Sequence, residues 1–190
     1  MASRKRSIIW AFLLASIWAC SPKGQAVEDQ RQPAEIFPTH AHTQLITEHA
    51  SIQPWKGKTL VGVHFQIEPG WHIYYKESGD AGLPTKIVWT GPREATFGPL
   101  IWPAPQEFTD PGEIHTQGYT GDVVLASELR MDLGPTLATV LPSSIPIKAE
   151  VSWLACKELC VPGHAFLELS LPVSTDPPKP SEHANLFPQG

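Results

Sequence analysis

Two cysteines separated by three residues, Cys156 and Cys160, are the part of this sequence best suited to chemistry. Two neighbouring thiols support disulfide exchange, because one thiolate attacks a partner's disulfide and the second thiol then resolves the mixed disulfide. Between them, Lys157 favours a thiolate and Glu158 opposes it. The pair follows a predicted strand that ends at Trp153, so we expect it at or near a hairpin tip that other proteins can reach.

A structural disulfide is the simplest alternative for two cysteines in an exported domain. On the chain-entropy model a bridge across a five-residue loop stabilises by only about 2 kcal/mol, against about 4 kcal/mol or more for a loop of a hundred residues. Exposed or strained bridges are also the more readily reduced ones. These arguments favour exchange over reinforcement, and exchange between thiols needs no cofactor.

A copper or zinc site is a second alternative. Cys156, Cys160 and His164 are spaced four residues apart, which would place them on one face of a helix. The intervening Pro162-Gly163 interrupts any such helix, so the spacing does not support a metal site. A passive β-sandwich module with no chemistry is the third alternative, and a very low reduction potential would favour it.

Alternation of apolar and polar residues with a period of two predicts β-strands. No stretch of ten or more residues shows a clean helical stripe, and Val161-Pro162-Gly163 is expected to turn the chain between two strands. Seven or more short strands separated by proline and glycine turns indicate an all-β chain with an immunoglobulin-like β-sandwich. The candidates are Thr59–Ile67, Ile145–Trp153 and Ala165–Leu171, with weaker alternation at Thr43–Ile46, His72–Tyr75, Lys86–Trp89 and Val123–Leu129.

Length and charge set further limits. A chain of 190 residues suits one domain with tails. The formal net charge is −5, and the sequence has no basic stripe interleaved with aromatic residues. It therefore predicts no nucleic-acid partner.

The N-terminus has the features of an export signal. Residues 1–19 combine a basic start with an apolar run, Ile8 to Ala19, that is too short to span a bilayer comfortably. Ile17-Trp18-Ala19-Cys20 is similar to a bacterial lipobox, which predicts lipidation of Cys20; ordinary cleavage after Ala26 is the alternative. Lipidation also explains an odd count of three cysteines, because it leaves one pair.

The remaining chain divides by composition. Residues 20–37 are polar and aperiodic, so they are interpreted as a linker that tethers the domain. Residues 38–173 contain the predicted strands and form the sandwich. Residues 174–190 are polar and rich in proline, which predicts a disordered tail.

An ordered series of motifs resembles the N-terminal periplasmic domain of the thiol:disulfide interchange protein DsbD and its relatives. The similarity covers about residues 38–173, and the series is more specific than any single motif. It is carried by Gly70–Tyr75, Gly79–Thr85, Trp102–Pro105, Gly118–Gly121 and Val151–Gly163.

The resemblance implies a periplasmic, immunoglobulin-like domain that passes electrons from a membrane-embedded reductant to oxidised thioredoxin-like proteins, among them disulfide isomerases and the thioredoxins of cytochrome c maturation. The implied activity is of the protein-disulfide reductase type. Within it, Cys160 is the attacking thiol and Cys156 the resolving thiol. The sequence contains neither a transmembrane bundle nor a Cys-x-x-Cys thioredoxin domain, so we expect a separate membrane-embedded thiol reductase as a partner.

The resemblance also implies a cap loop that shields the cysteine pair. Residues 115–119 are the candidate segment, with Gly118 and Tyr119 at the shielding position. The alternative is that Tyr119 belongs to the sandwich core. The large tryptophans of the motifs are expected to pack in the core or against turns: Trp71, Trp89, Trp102 and Trp153.

Overall fold

The alternation in the sequence produces ten strands in a computed structural model that describes residues 39–110, 112–133 and 141–188. The predicted signal peptide, Cys20 with its predicted lipidation and the whole linker of residues 20–37 lie outside these residues. The strands are β1 (Ala41–Thr47), β2 (Gly57–Ile67), β3 (His72–Gly79), β4 (Lys86–Thr90), β5 (Ala95–Ile101), β6 (Gln106–Asp110), β7 (Ile114–Tyr119), β8 (Asp122–Met131), β9 (Ser144–Cys156) and β10 (Cys160–Pro172).

Two sheets face each other. One has four strands in the order β1-β2-β8-β5, and the other has six strands. In the six-stranded sheet the order is β10-β9-β3-β7-β6, and β4 pairs with β9 farther along the same edge as β3. All of these pairings are antiparallel. This is the immunoglobulin-like β-sandwich that the sequence predicts.

The core fills the space between the sheets. Along β9, every second residue from Ile145 to Ala155 is buried, and the residues between them are partly or fully exposed. The ring of Trp153 meets Phe65 of the opposite sheet edge to face, with 5.6 Å between centroids. The prediction for the tryptophans is confirmed, since Trp153 is buried in the core and Trp71, Trp89 and Trp102 pack against it.

Three strands escaped prediction because their sequences do not alternate. In β5 the register with β8 shifts between Phe97 and Leu100, and such a bulge breaks the period of two. In β7 the consecutive residues Gly118 and Tyr119 are both buried, so neither face is marked by polar side chains. β6 is short and polar apart from Phe108.

The expected turn at Val161-Pro162-Gly163 is wrong, because these residues lie inside β10. The turn is the three-residue segment 157–159, and β10 is already paired with β9 at Cys160. Pro162 is tolerated there because β10 is an edge strand. Gly163 is needed because a Cβ atom at this position would lie 2.1 Å from the Trp153 ring.

The C-terminal segment differs from the disordered tail expected over residues 174–190. Its described part, 174–188, follows the sandwich: the amide of Ser181 donates to the carbonyl of Glu48 at 2.9 Å. A short 3-10 turn, Ala184–Leu186, then delivers Phe187, which is only 3% exposed. The proline-rich composition predicted disorder in this segment. A buried aromatic residue and backbone hydrogen bonding beside the edge strand β1 hold it in place instead.

Phe187 packs on the outer face of the four-stranded sheet. It forms a small second cluster with Ile46, Val124 and Ala126. Gly62 provides the space, since a Cβ atom there would lie 3.1 Å from the Phe187 ring and 2.7 Å from Val124. The last described residues therefore cover a sheet face that would otherwise expose apolar side chains.

We expect Phe187→Ala to lower the free energy of unfolding by about 3 kcal/mol, because it empties a buried aromatic site. Leu186→Ala, at a neighbouring residue that is 37% exposed, should cost less than about 1 kcal/mol. Urea unfolding of both variants measures the difference. Equal midpoints for Phe187→Ala and the unmodified protein would contradict the packing of this segment.

Candidate redox site

The cysteine pair closes the β9–β10 hairpin at its tip. Cys160 lies directly opposite Cys156, with 4.1 Å between their Cα atoms, and the two sulfurs form a disulfide. The intervening turn is held by the amide of Lys157, which donates to the carbonyl of Leu159 at 3.2 Å. The hairpin stays in register from this pair to Ser144 and Pro172, so the sulfurs are positioned by thirteen-residue strands.

The two sulfurs are not equally accessible. Cys156 is 3% exposed, whereas Cys160 belongs to the exposed residues of the hairpin tip. Leu159, between them, is 77% exposed. An incoming thiolate therefore has access to Cys160, and Cys156 is the sulfur that departs when the bond is attacked there.

The disulfide lies on the outer face of the six-stranded sheet. Trp153 and Ala155 belong to the core, so strand alternation points Cys156 away from it. On the neighbouring strand β3, His72 is the register partner of Cys156 and Ile73 is the partner of Ala155. Because Ile73 is in the core, His72 shares the outer face with the disulfide.

A layer of rings covers this part of the outer face. The His72 ring stacks on Phe108 of β6, with 4.6 Å between centroids, and meets Tyr74 edge to face at 5.1 Å. His72 is 6% exposed and Tyr74 is 3% exposed. The buried sulfur thus sits beside an aromatic layer that the sequence analysis did not identify; the signals were the histidine of the Gly70–Tyr75 motif and the lone aromatic residue of β6.

A second group of contacts lies next to the redox site. It involves the residues that directly precede β1. The His40 ring stacks on Trp71, with 3.5 Å between centroids, and its Nδ1 lies 2.8 Å from the Glu68 carboxylate. The indole of Trp153 donates to the carbonyl of Thr39 at 3.3 Å. These contacts fix the turn that precedes His72.

The structure does not place Gly118 and Tyr119 over the disulfide. Both lie in β7, where Tyr119 is the register partner of Ile73, and Tyr119 is part of the core at 4% exposure. Its hydroxyl donates to the carbonyl of Pro103 at 2.8 Å. Burial raises the pKa of the Tyr119 phenol, and the neighbouring Tyr75 raises it further. These contacts match the alternative that Tyr119 is a core residue.

Neither a metal cluster nor a spanning helix occurs in the described ranges. There, no three histidine, cysteine or carboxylate side chains are grouped to hold a metal ion, and no helix is long and apolar enough to cross a membrane. His164 is four residues from Cys160 along β10, about 13 Å in an extended strand. Its Nε2 lies 3.2 Å from the carboxylate of Glu150.

Comparison with models of protein families shows to which family this chain belongs. The model of the N-terminal region of the thiol:disulfide interchange protein DsbD matches residues 41–172. The chain belongs to the DsbD N-terminal family. The matched region runs from the first residue of β1 to the last of β10 and contains both cysteines, so the expected relationship is confirmed. Domains of this family carry out thiol–disulfide exchange.

Two solved structures are similar to this chain. The N-terminal periplasmic domain of ScsB from Proteus mirabilis matches with 25% identity and a TM-score of 0.51, over 70% of this chain and 47% of that one. The chain thus spans about half the length of the ScsB chain. The reduced DsbD N-terminal domain of Neisseria meningitidis matches with 17% identity and a TM-score of 0.38, over 67% of this chain and 86% of that one. Among curated proteins, none matches.

The unequal burial of the DsbD-type cysteines predicts unequal alkylation. After reduction, we expect iodoacetamide to modify Cys160 at least about tenfold faster than Cys156, because access limits the reaction of a buried thiol. Mass spectrometry of peptides from a timed reaction measures both rates, and denatured protein serves as the control in which the rates converge. Faster modification of Cys156 in the folded protein would contradict the asymmetry.

Burial of Tyr119 predicts a loss of stability in alkali. An unfolded tyrosine ionises near pH 10, and the raised pKa in the folded state means that folding opposes ionisation. The contribution is complete below pH 10 and is lost as the pH rises above it. We expect Tyr119→Phe to cost about 1 kcal/mol at pH 8 through the lost hydrogen bond, and to lose less stability than the unmodified protein between pH 8 and pH 11. If urea unfolding shows that both proteins lose the same stability between pH 8 and pH 11, the contribution of Tyr119 to the pH dependence is refuted.

Proposed function

We propose that this DsbD N-terminal domain works in the periplasm as an electron carrier between a membrane-embedded thiol reductase and oxidised thioredoxin-like proteins. The observation that carries the proposal is the disulfide at the hairpin tip, with Cys160 exposed and Cys156 buried. Membership of the family supports the exchange chemistry. The periplasmic location is supported by the similarity to the N-terminal domain of ScsB, which is a periplasmic domain.

The donating reaction takes place in two balanced steps. The Cys160 thiolate attacks one sulfur of the partner's disulfide, which forms a mixed disulfide and displaces the partner's other sulfur as a thiolate. The Cys156 thiolate then attacks Cys160, which restores the intramolecular disulfide and releases the partner's second sulfur. Two electrons pass to the partner, and the two protons lost by the cysteines end on the partner's thiols.

The hairpin supports both steps. The register between β9 and β10 holds the two Cα atoms 4.1 Å apart, so Cys156 is already within reach when the mixed disulfide forms on Cys160. The exposed Leu159 beside Cys160 gives a partner an apolar contact at the reacting sulfur. In the opposite direction, a reductant attacks the same exposed sulfur.

The anchor belongs to the same proposal. Lipidation at Cys20, with residues 21–37 as a tether, would keep the domain close to a membrane-embedded reductase and raise its effective concentration there. Labelling with a radioactive fatty acid in cells tests this part on its own, with Cys20→Ser as the control. Failure of labelling would remove the anchor and leave the exchange chemistry unaffected.

Single-cysteine variants separate the two roles. We expect Cys156→Ala, which keeps Cys160, to form a mixed disulfide with a thioredoxin that has only its attacking cysteine, and Cys160→Ala to form it at least about tenfold more slowly. Each variant is first converted to its mixed disulfide with dithiobis(nitrobenzoate), and release of the coloured thionitrobenzoate by thioredoxin then gives the rate. Similar rates, or a faster Cys160→Ala variant, would refute the assignment of Cys160.

The reduction potential separates exchange from a passive module. We expect a value above about −300 mV, since structural disulfides lie below that limit. Equilibration with glutathione or dithiothreitol buffers, followed by alkylation and mass spectrometry, gives the number. A lower value would favour the passive β-sandwich.

A further inference from the structure

A buried histidine lies beside the sulfur that departs when the disulfide is attacked. His72 is the register partner of Cys156 on the neighbouring strand and shares the outer face of the sheet with it. Register partners in antiparallel strands have Cβ atoms only about 5 Å apart. The His72 side chain is therefore an immediate neighbour of Cys156.

The surroundings hold this ring in place. It stacks on Phe108 at 4.6 Å and meets Tyr74 edge to face at 5.1 Å, and His72 is 6% exposed. Among the described histidines only His64 is comparably buried, at 8%, and it lies on the other sheet. An apolar side chain would be enough to fill this space. A titratable ring held beside a reacting sulfur therefore points to a chemical role.

The chemistry at Cys156 calls for such a group. When a thiolate attacks Cys160, Cys156 departs with the electron pair of the broken bond. Cys156 is 3% exposed, and a thiolate shielded from water is disfavoured unless a positive charge or a proton donor is near. Water has little access to supply that proton.

We propose that His72 exchanges the proton of Cys156 during the redox cycle. In reduction, the imidazolium of His72 stabilises the departing thiolate and protonates it to the thiol, which leaves the ring neutral. In donation to a partner, the neutral ring takes the proton back, and the resulting Cys156 thiolate attacks Cys160. The inference rests on the proposed function and deepens it, because it names the group that serves the buried sulfur.

Other ionisable groups contribute to the field at this position. From β3 itself the phenol of Tyr74 contacts the ring, and from β10 the second sulfur, Cys160, lies across from Cys156. From the hairpin turn, the side chain of Lys157 passes against Gly70, two residues before His72. Phe108 contributes an uncharged face from β6.

The test is the rate at which dithiothreitol reduces the disulfide in the whole protein from pH 5.5 to pH 8.5. One dithiothreitol thiolate attacks Cys160, Cys156 departs and gains a proton, and the second thiol closes the oxidised ring and frees Cys160. His72→Gln and His72→Phe are compared with the unmodified protein, and His64→Gln is the matched control for a buried histidine. Acid quenching, alkylation and mass spectrometry give the rates, and circular dichroism identifies variants that remain folded.

We expect the ratio of the unmodified rate to the His72→Gln rate to be about tenfold at pH 5.5 and less than twofold at pH 8.5, because only the imidazolium can donate. The control ratio should stay near one throughout. A ratio that does not change with pH would overturn the proposal and leave His72 a packing residue. An equal effect of His64→Gln would overturn it as well. If His72→Phe does not fold, His72→Gln alone decides.

This outcome is distinguishable from failure of the proposed function. Dithiothreitol needs no docking surface, so a pH-dependent effect of His72 can be present even if thioredoxin-like proteins fail to exchange with Cys160. Conversely, exchange with such a partner at the Cys160 sulfur, combined with a pH-independent ratio for His72→Gln, would retain the proposed function and discard the role of His72.

Discussion

The unbroken pairing of β9 with β10 is the constraint on which the rest of the site depends. Thirteen register pairs connect Ser144–Pro172 at one end to Cys156–Cys160 at the other, and the core side chains of β9 hold this ladder against the opposite sheet. Because side-chain direction alternates strictly along a strand, burial of Trp153 and Ala155 dictates that both sulfurs lie on the outer face. The packing of the core residues therefore determines on which face of the sheet the cysteines lie.

The same geometry makes two chemically identical residues unequal. Cys160 is on an edge strand and open to solvent, whereas Cys156 has β3 beside it, with His72 in register and Phe108 stacked on that ring. A disulfide with one open and one covered sulfur imposes an order on exchange, because attack and departure occur at different, fixed positions. The order of the strands in the sheet therefore determines which sulfur is attacked and which one departs.

The sequence predicted the strands that alternate, the sandwich class and the position of the cysteine pair, because each of these follows from local pattern. It could not predict β7, whose buried Gly118 and Tyr119 are adjacent, nor the place of His72 beside Cys156, which depends on which strand lies beside β9. The resemblance suggested a cap at Tyr119, and long-range pairing placed that residue in the core instead. Phe187 was missed for the converse reason: its proline-rich context is polar, and its binding site is made by Gly62 and Val124 far away in sequence.

Pro162 has a consequence for self-association. It is two residues from Cys160 on the outermost strand of the six-stranded sheet, and proline offers no backbone N–H to an incoming strand. Free strand edges are templates for fibril-like growth, and natural sheets interrupt them with residues of this kind. The proline removes one backbone hydrogen-bond donor from the exposed edge near the reactive sulfur. Strand pairing between neighbouring copies is therefore disfavoured there, while the hairpin tip stays accessible to other proteins.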